Sequence, residues 1–248
     1  MADTVNRKAQ AQVLYLYGIS AHAAQPIKIS GAGIDGSSAV EGMECSGFDC
    51  WISRVDKREY GDQLAANMED LDWLAATSVR HQRVVGQIAT RTTILPTRFG
   101  TVFLSEESLQ RHASERKQQL LQSLQKIEGT EEWGVKLFAA PPPAQPPVRA
   151  ASGKDYLKAK SARLQPSHRK ELDPEVKDFI QELQTIAADS AVSGKVSSGQ
   201  RNLEWQASFL LHKSKRKEWD AVLRKYATAW QERRQIECTG PWPPYSFV

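Results

Sequence analysis

Leu203-Glu204-Trp205-Gln206-Ala207-Ser208-Phe209-Leu210-Leu211-His212 decides how the rest of the chain is read. Leu203, Trp205, Ala207, Phe209 and Leu211 alternate with Glu204, Gln206, Ser208 and His212, and Leu210 is the exception. A period of two sends successive side chains to opposite faces, so the stretch is a strand with one apolar face. Directly after it, Trp219, Val222, Leu223, Tyr226, Ala227 and Trp230 recur at helical spacing and form an amphipathic helix. Ile236 to Thr239 opens a last strand. Upstream, Asp173-Pro174 sets an N-cap acceptor before a proline at the first helical position. Val176, Phe179, Ile180, Leu183 and Ile186 give that helix its apolar face, and residues 153–164 read as another helix. Trp133-Gly134-Val135-Lys136-Leu137-Phe138 reads as a strand. The order is strand, helix, strand, helix, strand, with room for another strand near 192–200. It approximates the split βαβ arrangement of ferredoxin-like domains.

The first half alternates in the same way. Val13-Leu14-Tyr15-Leu16-Tyr17 is wholly apolar and reads as a central strand buried on both faces. Residues 20–47 are small, Gly-rich and weakly patterned, and read as a flexible surface loop. Phe48 to Val55 is a second strand. Asn67 is the expected cap of a helix carrying Leu71, Leu74, Ser78, His81, Val85 and Ile88. Ile94-Leu95-Pro96 and residues 99–104 read as extended, joined by a turn. Ser105 caps a helix with Leu109, Ala113, Leu120, Leu124 and Ile127, which Gly129 ends. The expected fold is α+β with two domains, each with helices on one face of a mainly antiparallel sheet. The C-terminal domain is ferredoxin-like and the N-terminal one a related α+β sandwich. Residues 1–140 form the first, 141–150 a Pro-rich linker, and 151–248 the second with its Pro/aromatic tail. The strand at 133–139 fits either side.

Composition bounds the function. The chain has 248 residues, 40% hydrophobic and 25% charged, with net charge +4. Residues 1–140 hold 15 Lys/Arg against 17 Asp/Glu, and residues 141–248 hold 18 against 12. That asymmetry is too mild to demand nucleic acid. No apolar run reaches the ~18–20 residues that span a bilayer, so no lipid-membrane partner is expected. The N-terminus lacks a signal-peptide core, which makes the cytoplasm the expected location. Three cysteines, Cys45, Cys50 and Cys238, fit a reducing compartment and buried free thiols. No Cys/His quartet, Walker loop, nucleophile elbow or HExxH occurs, so no catalytic residue, metal or cofactor is expected.

Four features invite a functional reading. The closing stretch Cys238-Thr239-Gly240-Pro241-Trp242-Pro243-Pro244-Tyr245-Ser246-Phe247-Val248 is unusually apolar for a terminus. Its prolines lower the entropy lost on ordering, and Trp242, Tyr245 and Phe247 are costly to leave in water. It docks on its own protein or on a partner, and its place after the last strand suggests that it closes the C-terminal domain. In Pro96-Thr97-Arg98-Phe99-Gly100-Thr101, Arg98 has the geometry to hold a carboxylate or another anion, or to pair within its own fold. Lys213, Lys215, Arg216 and Lys217 are the densest basic run, read as a solvated helix start or a nucleic-acid contact. His81, on an apolar helix face, is a hydrogen-bonded core residue, a ligand or a base.

In these stretches the chain resembles the gas vesicle protein L/F family (GvpL/GvpF), closest to the GvpF type. The resemblance rests on Leu14-Tyr15-Leu16-Tyr17-Gly18-Ile19, Asp72-Trp73-Leu74 with His81, residues 95–103, Glu132-Trp133-Gly134-Val135-Lys136, residues 152–157 and the closing Thr239 to Phe247. Thr97 stands where an apolar residue is expected, and residues 20–47 match nothing in the family pattern. The resemblance implies a non-enzymatic accessory or minor structural protein of gas vesicles. Its implied partner is the very hydrophobic GvpA-type shell protein, whose nucleation or assembly it assists and whose aggregation it prevents, alongside other gas vesicle accessory proteins. Arg98, Phe99, Trp242, Tyr245 and Phe247 are the candidate structural or interaction residues. Two other classes remain open: an enzyme on ferredoxin-like domains using Arg98 and His81, and a nucleic-acid-binding module using residues 213–217.

Overall fold

Eight consecutive residues of the first strand, Val13 to Ser20, are buried, as an apolar run without alternation requires. This strand, β1 (Gln12–Ala21), lies at the centre of an antiparallel sheet in a computed structural model that describes residues 11–140, 172–192 and 202–248. The sheet runs β2 (Glu41–Cys45), β3 (Phe48–Asp56), β1, β4 (Ile94–Pro96), with β5 (Val102–Phe103) also paired to β1. β2 and β3 form a hairpin whose two turn residues, Ser46 and Gly47, both have positive φ, the conformation that matches strand twist. Tyr17 is an extra residue in the ladder, because Leu16 pairs with Ile52 and Gly18 with Trp51.

The helices are α1 (Leu64–Asn67), α2 (Leu71–Ala89), α3 (Glu106–Glu115) and α4 (Lys117–Ile127). Both faces of the sheet are covered. Val84, Val85 and Ile88 of α2 join Val13, Tyr15, Tyr17, Trp51 and Val55 in one core. On the opposite face Phe103, the partner of Leu14 in the sheet, packs edge-on against His112 of α3 with ring centroids 5.1 Å apart. The expectation of helices on one face alone is therefore corrected for this sheet. A strand that is apolar all round must be covered on both sides.

The second sheet contains β6 (Thr130–Ala139), β7 (Asp189–Val192), β8 (Leu203–His212) and β9 (Arg234–Trp242), in the order β7-β8-β6-β9. Helices α5 (Pro174–Ile186) and α6 (Arg216–Trp230) complete it. Among the described residues the order β6-α5-β7-β8-α6-β9 with that strand order fits split βαβ connectivity. Phe179 is the hub of its core, 4.9 Å from the Tyr226 ring, 5.3 Å from Trp230 and 6.4 Å from Trp205. Arg234 holds the ends of α5 and β8 together through Asp173 at 3.0 Å and Glu204 at 2.8 Å.

The chain divides into two compact units. The first comprises the residues up to Trp133 and also Gly240–Val248; the second is Gly134–Thr239. The tail was expected to close the C-terminal domain, but its hydrogen bonds reach Glu132 and His81 of the first unit. The expected linker at 141–150 and helix at 153–164 lie outside the described residues.

Several local expectations change. Asp70, not Asn67, caps α2, accepting from the Asp72 and Trp73 amides. Asn67 ends α1 and its amide donates to the Glu59 carbonyl instead. Leu71 is 77% exposed, and the buried face of α2 is Thr77, His81, Val84, Val85 and Ile88. The helix after Ser105 breaks at Arg116 into α3 and α4. The Gly-rich segment 20–47 is ordered: it supplies β2, and Ile34 is fully buried in the first core. The segment is tied down by polar groups: the Ile34 amide donates to the Tyr17 hydroxyl at 2.7 Å, and Arg83 donates to the Ala32 carbonyl.

Candidate interaction site around the docked tail

β9 leaves the second unit at Gly240, where the peptide to Pro241 is cis. Gly240 has φ +146°, and a Cβ there would lie 2.8 Å from the Trp133 ring and 2.9 Å from the Glu132 carbonyl oxygen. Only glycine fits both the dihedral and the space. Beyond it Pro244 is buried, and Tyr245–Phe247 close into a short 3₁₀ turn. The largely buried Glu132 carboxylate receives that turn, accepting from the Ser246 amide at 2.9 Å and the Ser246 hydroxyl at 2.6 Å. Phe247 is buried, with the Lys126 ammonium 5.8 Å from its ring centroid.

Tyr245 reaches the centre of the unit. Its hydroxyl lies 3.0 Å from His81 Nε2, and His81 Nδ1 lies 2.9 Å from the Tyr15 hydroxyl. Tyr15 also accepts from the Gly100 amide at 3.2 Å, so one hydrogen-bonded chain runs from the Gly100 amide through Tyr15 and His81 to Tyr245. Burial lowers the His81 pKa to about 4 and pushes both tyrosines well above the ordinary phenol range. His81 is thus a neutral core histidine with both nitrogens engaged.

The loop that carries Arg98 is pinned from both ends to β1. Thr97 donates its amide to the Tyr17 carbonyl at 3.0 Å and its hydroxyl to the Leu16 carbonyl at 2.6 Å. That second bond is a role an apolar residue at 97 has no group to fill. Leu16 in turn donates to the Thr101 carbonyl at 2.9 Å. Phe99 is half-buried, edge-on to Trp73, Tyr15 and His81. Arg98 is exposed.

Between this loop, α3, α4 and the tail lies a cleft of about 200 Å³. Ile19, Leu95, Pro96 and Leu120 give it apolar walls, and Tyr245 and Val248 bring the tail to its edge. Arg98, Arg116 and His112 supply its basic groups. Burial, with the Arg116 charge in support, lowers the His112 pKa, so the two arginines carry the cleft's positive charge at neutral pH. No Asp or Glu lines it.

The profile of the family described as "Gas vesicle synthesis protein GvpL/GvpF" matches residues 13–248. The chain belongs to the GvpL/GvpF family. It is 30% identical over 201 residues to gas vesicle protein L of Streptomyces sp. (strain CB03234), covering 75% of this chain and 73% of that protein. It is 23% identical over 235 residues to gas vesicle protein F1 of Halobacterium salinarum, covering 95% and 92%. Its fold is that of two crystal structures of the gas vesicle protein GvpF. The one from Anabaena sp. PCC7120 has a TM-score of 0.67 at 22% identity and covers 95% of each chain. The one from Microcystis aeruginosa has a TM-score of 0.63 at 21% identity and covers 95% of this chain and 98% of that one. The α+β reading and the family resemblance both hold, and the role of this GvpL/GvpF protein is tied to gas vesicles.

Of the five candidate residues, Arg98 and Tyr245 meet at the cleft, Phe99 and Phe247 pack inward, and Trp242 stays half exposed. Sequence reasoning missed His112, Arg116 and Glu132. Glu132 lies in the stretch 132–136 that carries the resemblance, but its partner, Ser246, is 114 residues away. The basic run in the second unit is partly neutralised, with Lys215 2.9 Å from Glu218 and Arg216 2.8 Å from Asp220. Among the described residues no group of His, Cys, Asp and Glu could hold a metal ion, and no helix is long and apolar enough to cross a membrane.

Proposed function

We propose that this GvpL/GvpF protein is a non-enzymatic accessory or minor structural component of gas vesicles. It binds the hydrophobic GvpA-type shell subunit, limits its aggregation and assists its nucleation or assembly, alongside other gas vesicle accessory proteins. The family match across residues 13–248 carries this reading. Two features of the molecule support it. A cleft with aliphatic walls suits capture of an apolar segment. His81, a buried titratable group, has both nitrogens occupied by tyrosine hydroxyls, which argues against a general-base role. The test is co-purification of the protein with the shell subunit and with intact, washed vesicles. Recovery with both is expected. Absence from both, together with normal vesicles in a deletion strain, overturns the reading.

A further inference from the structure

We infer that the cleft beside the docked tail recognises a partner segment that presents a carboxylate flanked by aliphatic side chains, with Arg98 and Arg116 holding the carboxylate. This deepens the proposed function and rests on it only for the partner's identity. The argument begins with charge. Arg98 and Arg116 are exposed on one cleft, no acidic residue lines it, and neither arginine makes an ion pair among the described residues. Two guanidiniums without an ion-pair partner among the described residues, at one mouth, favour a carboxylate, which each can bind through two parallel N–H groups. Shape supplies the second part. The walls formed by Ile19, Leu95 and Leu120 are apolar, and about 200 Å³ holds one or two aliphatic side chains rather than a folded domain. Position supplies the third. Pro96, Thr97 and Arg98 come from one distinctive stretch of sequence and Tyr245 from another, so docking of the tail completes the wall.

The cleft is rigid on the side that carries Arg98. The Thr97 and Leu16 backbone bonds fix the loop before and after the arginine, so little ordering cost falls on the backbone when a ligand arrives. Arg116 sits at the break between α3 and α4, where the chain turns and exposes its side chain. The partner's carboxylate supplies orientation, and its aliphatic neighbours supply buried area.

The experiment probes the full-length protein against immobilised 15-residue peptides tiled across the shell subunit, each also made with Asp→Asn and Glu→Gln replacements. The wild-type protein is expected to bind peptides in which an acid is flanked by aliphatic residues, and to bind their amide versions about tenfold more weakly. In the Arg98→Ala/Arg116→Ala protein the acid and amide versions bind alike, while its far-UV spectrum and melting temperature match the wild type. Raising the salt concentration weakens the wild-type interaction more than that of the double variant. Indifference of the wild type to the amide replacement, an acid preference that survives loss of both arginines, or binding to no peptide each overturns the inference. Full competition by inorganic phosphate alone also overturns it, since the cleft is then a simple anion site. Co-purification with washed vesicles is read separately, so shell association can stand where this cleft assignment falls.

Discussion

His81 joins three parts of the first unit that are far apart in sequence: Tyr15 on β1, its own helix α2, and Tyr245 in the tail. Burial keeps it a neutral ring. The folded state binds the imidazole proton with a pKa near 4, and the unfolded chain near the ordinary 6.5. Above about pH 6.5 the group is neutral in both states and costs nothing. As pH falls from about 6.5 to about 4 the unfolded chain takes up the proton first, and stability drops by on the order of 3 kcal/mol before levelling off. The urea midpoint is expected to fall across that window, and His81→Gln to flatten the fall while lowering stability at pH 7. An unchanged slope in the variant would place the pH dependence elsewhere. Gly240 makes a second residue-scale case. Gly240→Ala forces a Cβ into the Trp133 ring at a positive φ, so a loss of more than about 1 kcal/mol in denaturant unfolding is expected.

At the level of elements, what packs by its own periodicity was legible in the sequence. The alternation in 203–212, the Ser105 and Asp173 caps and the apolar run at 13–17 each became the expected strand or helix start. The segment 20–47 was not legible, because it is held by specific bonds rather than by a repeating pattern. The Tyr17 hydroxyl, the Arg83 guanidinium and the side chain of Asp35, which accepts from the Ser37 and Ser38 amides, hold it in place. Ile34 anchors it in the core, with Ile27, Ile29 and Val40 packed against the same cluster. Ile34→Ala is expected to cost about 2–5 kcal/mol in denaturant unfolding. A loss under about 0.5 kcal/mol would mean that the segment is a surface loop after all. The cleft was half legible. Arg98 stands out between a proline and a glycine, whereas nothing in the sequence distinguishes Arg116, whose place at the cleft depends on the break between α3 and α4.

At the scale of the whole molecule, the tail belongs to the unit that contains β1 and not to the unit it directly follows in sequence. Deleting residues 240–248 removes the partners of Glu132 and of His81 Nε2 and uncovers the site of Phe247. Hydrogen exchange is expected to quicken in β1 and α2 while β8 and α6 keep their protection. Equal loss in both units, or loss in neither, contradicts this division of labour. The division also sets an order of events at the ribosome. Every residue of the second unit emerges before Gly240, so that unit can fold while the first still lacks its final nine residues. Translation holds the Arg98 cleft without its Tyr245 wall until synthesis reaches the tail. A nascent chain stalled before that point has no finished cleft, so its partner is met only by protein translated through the tail.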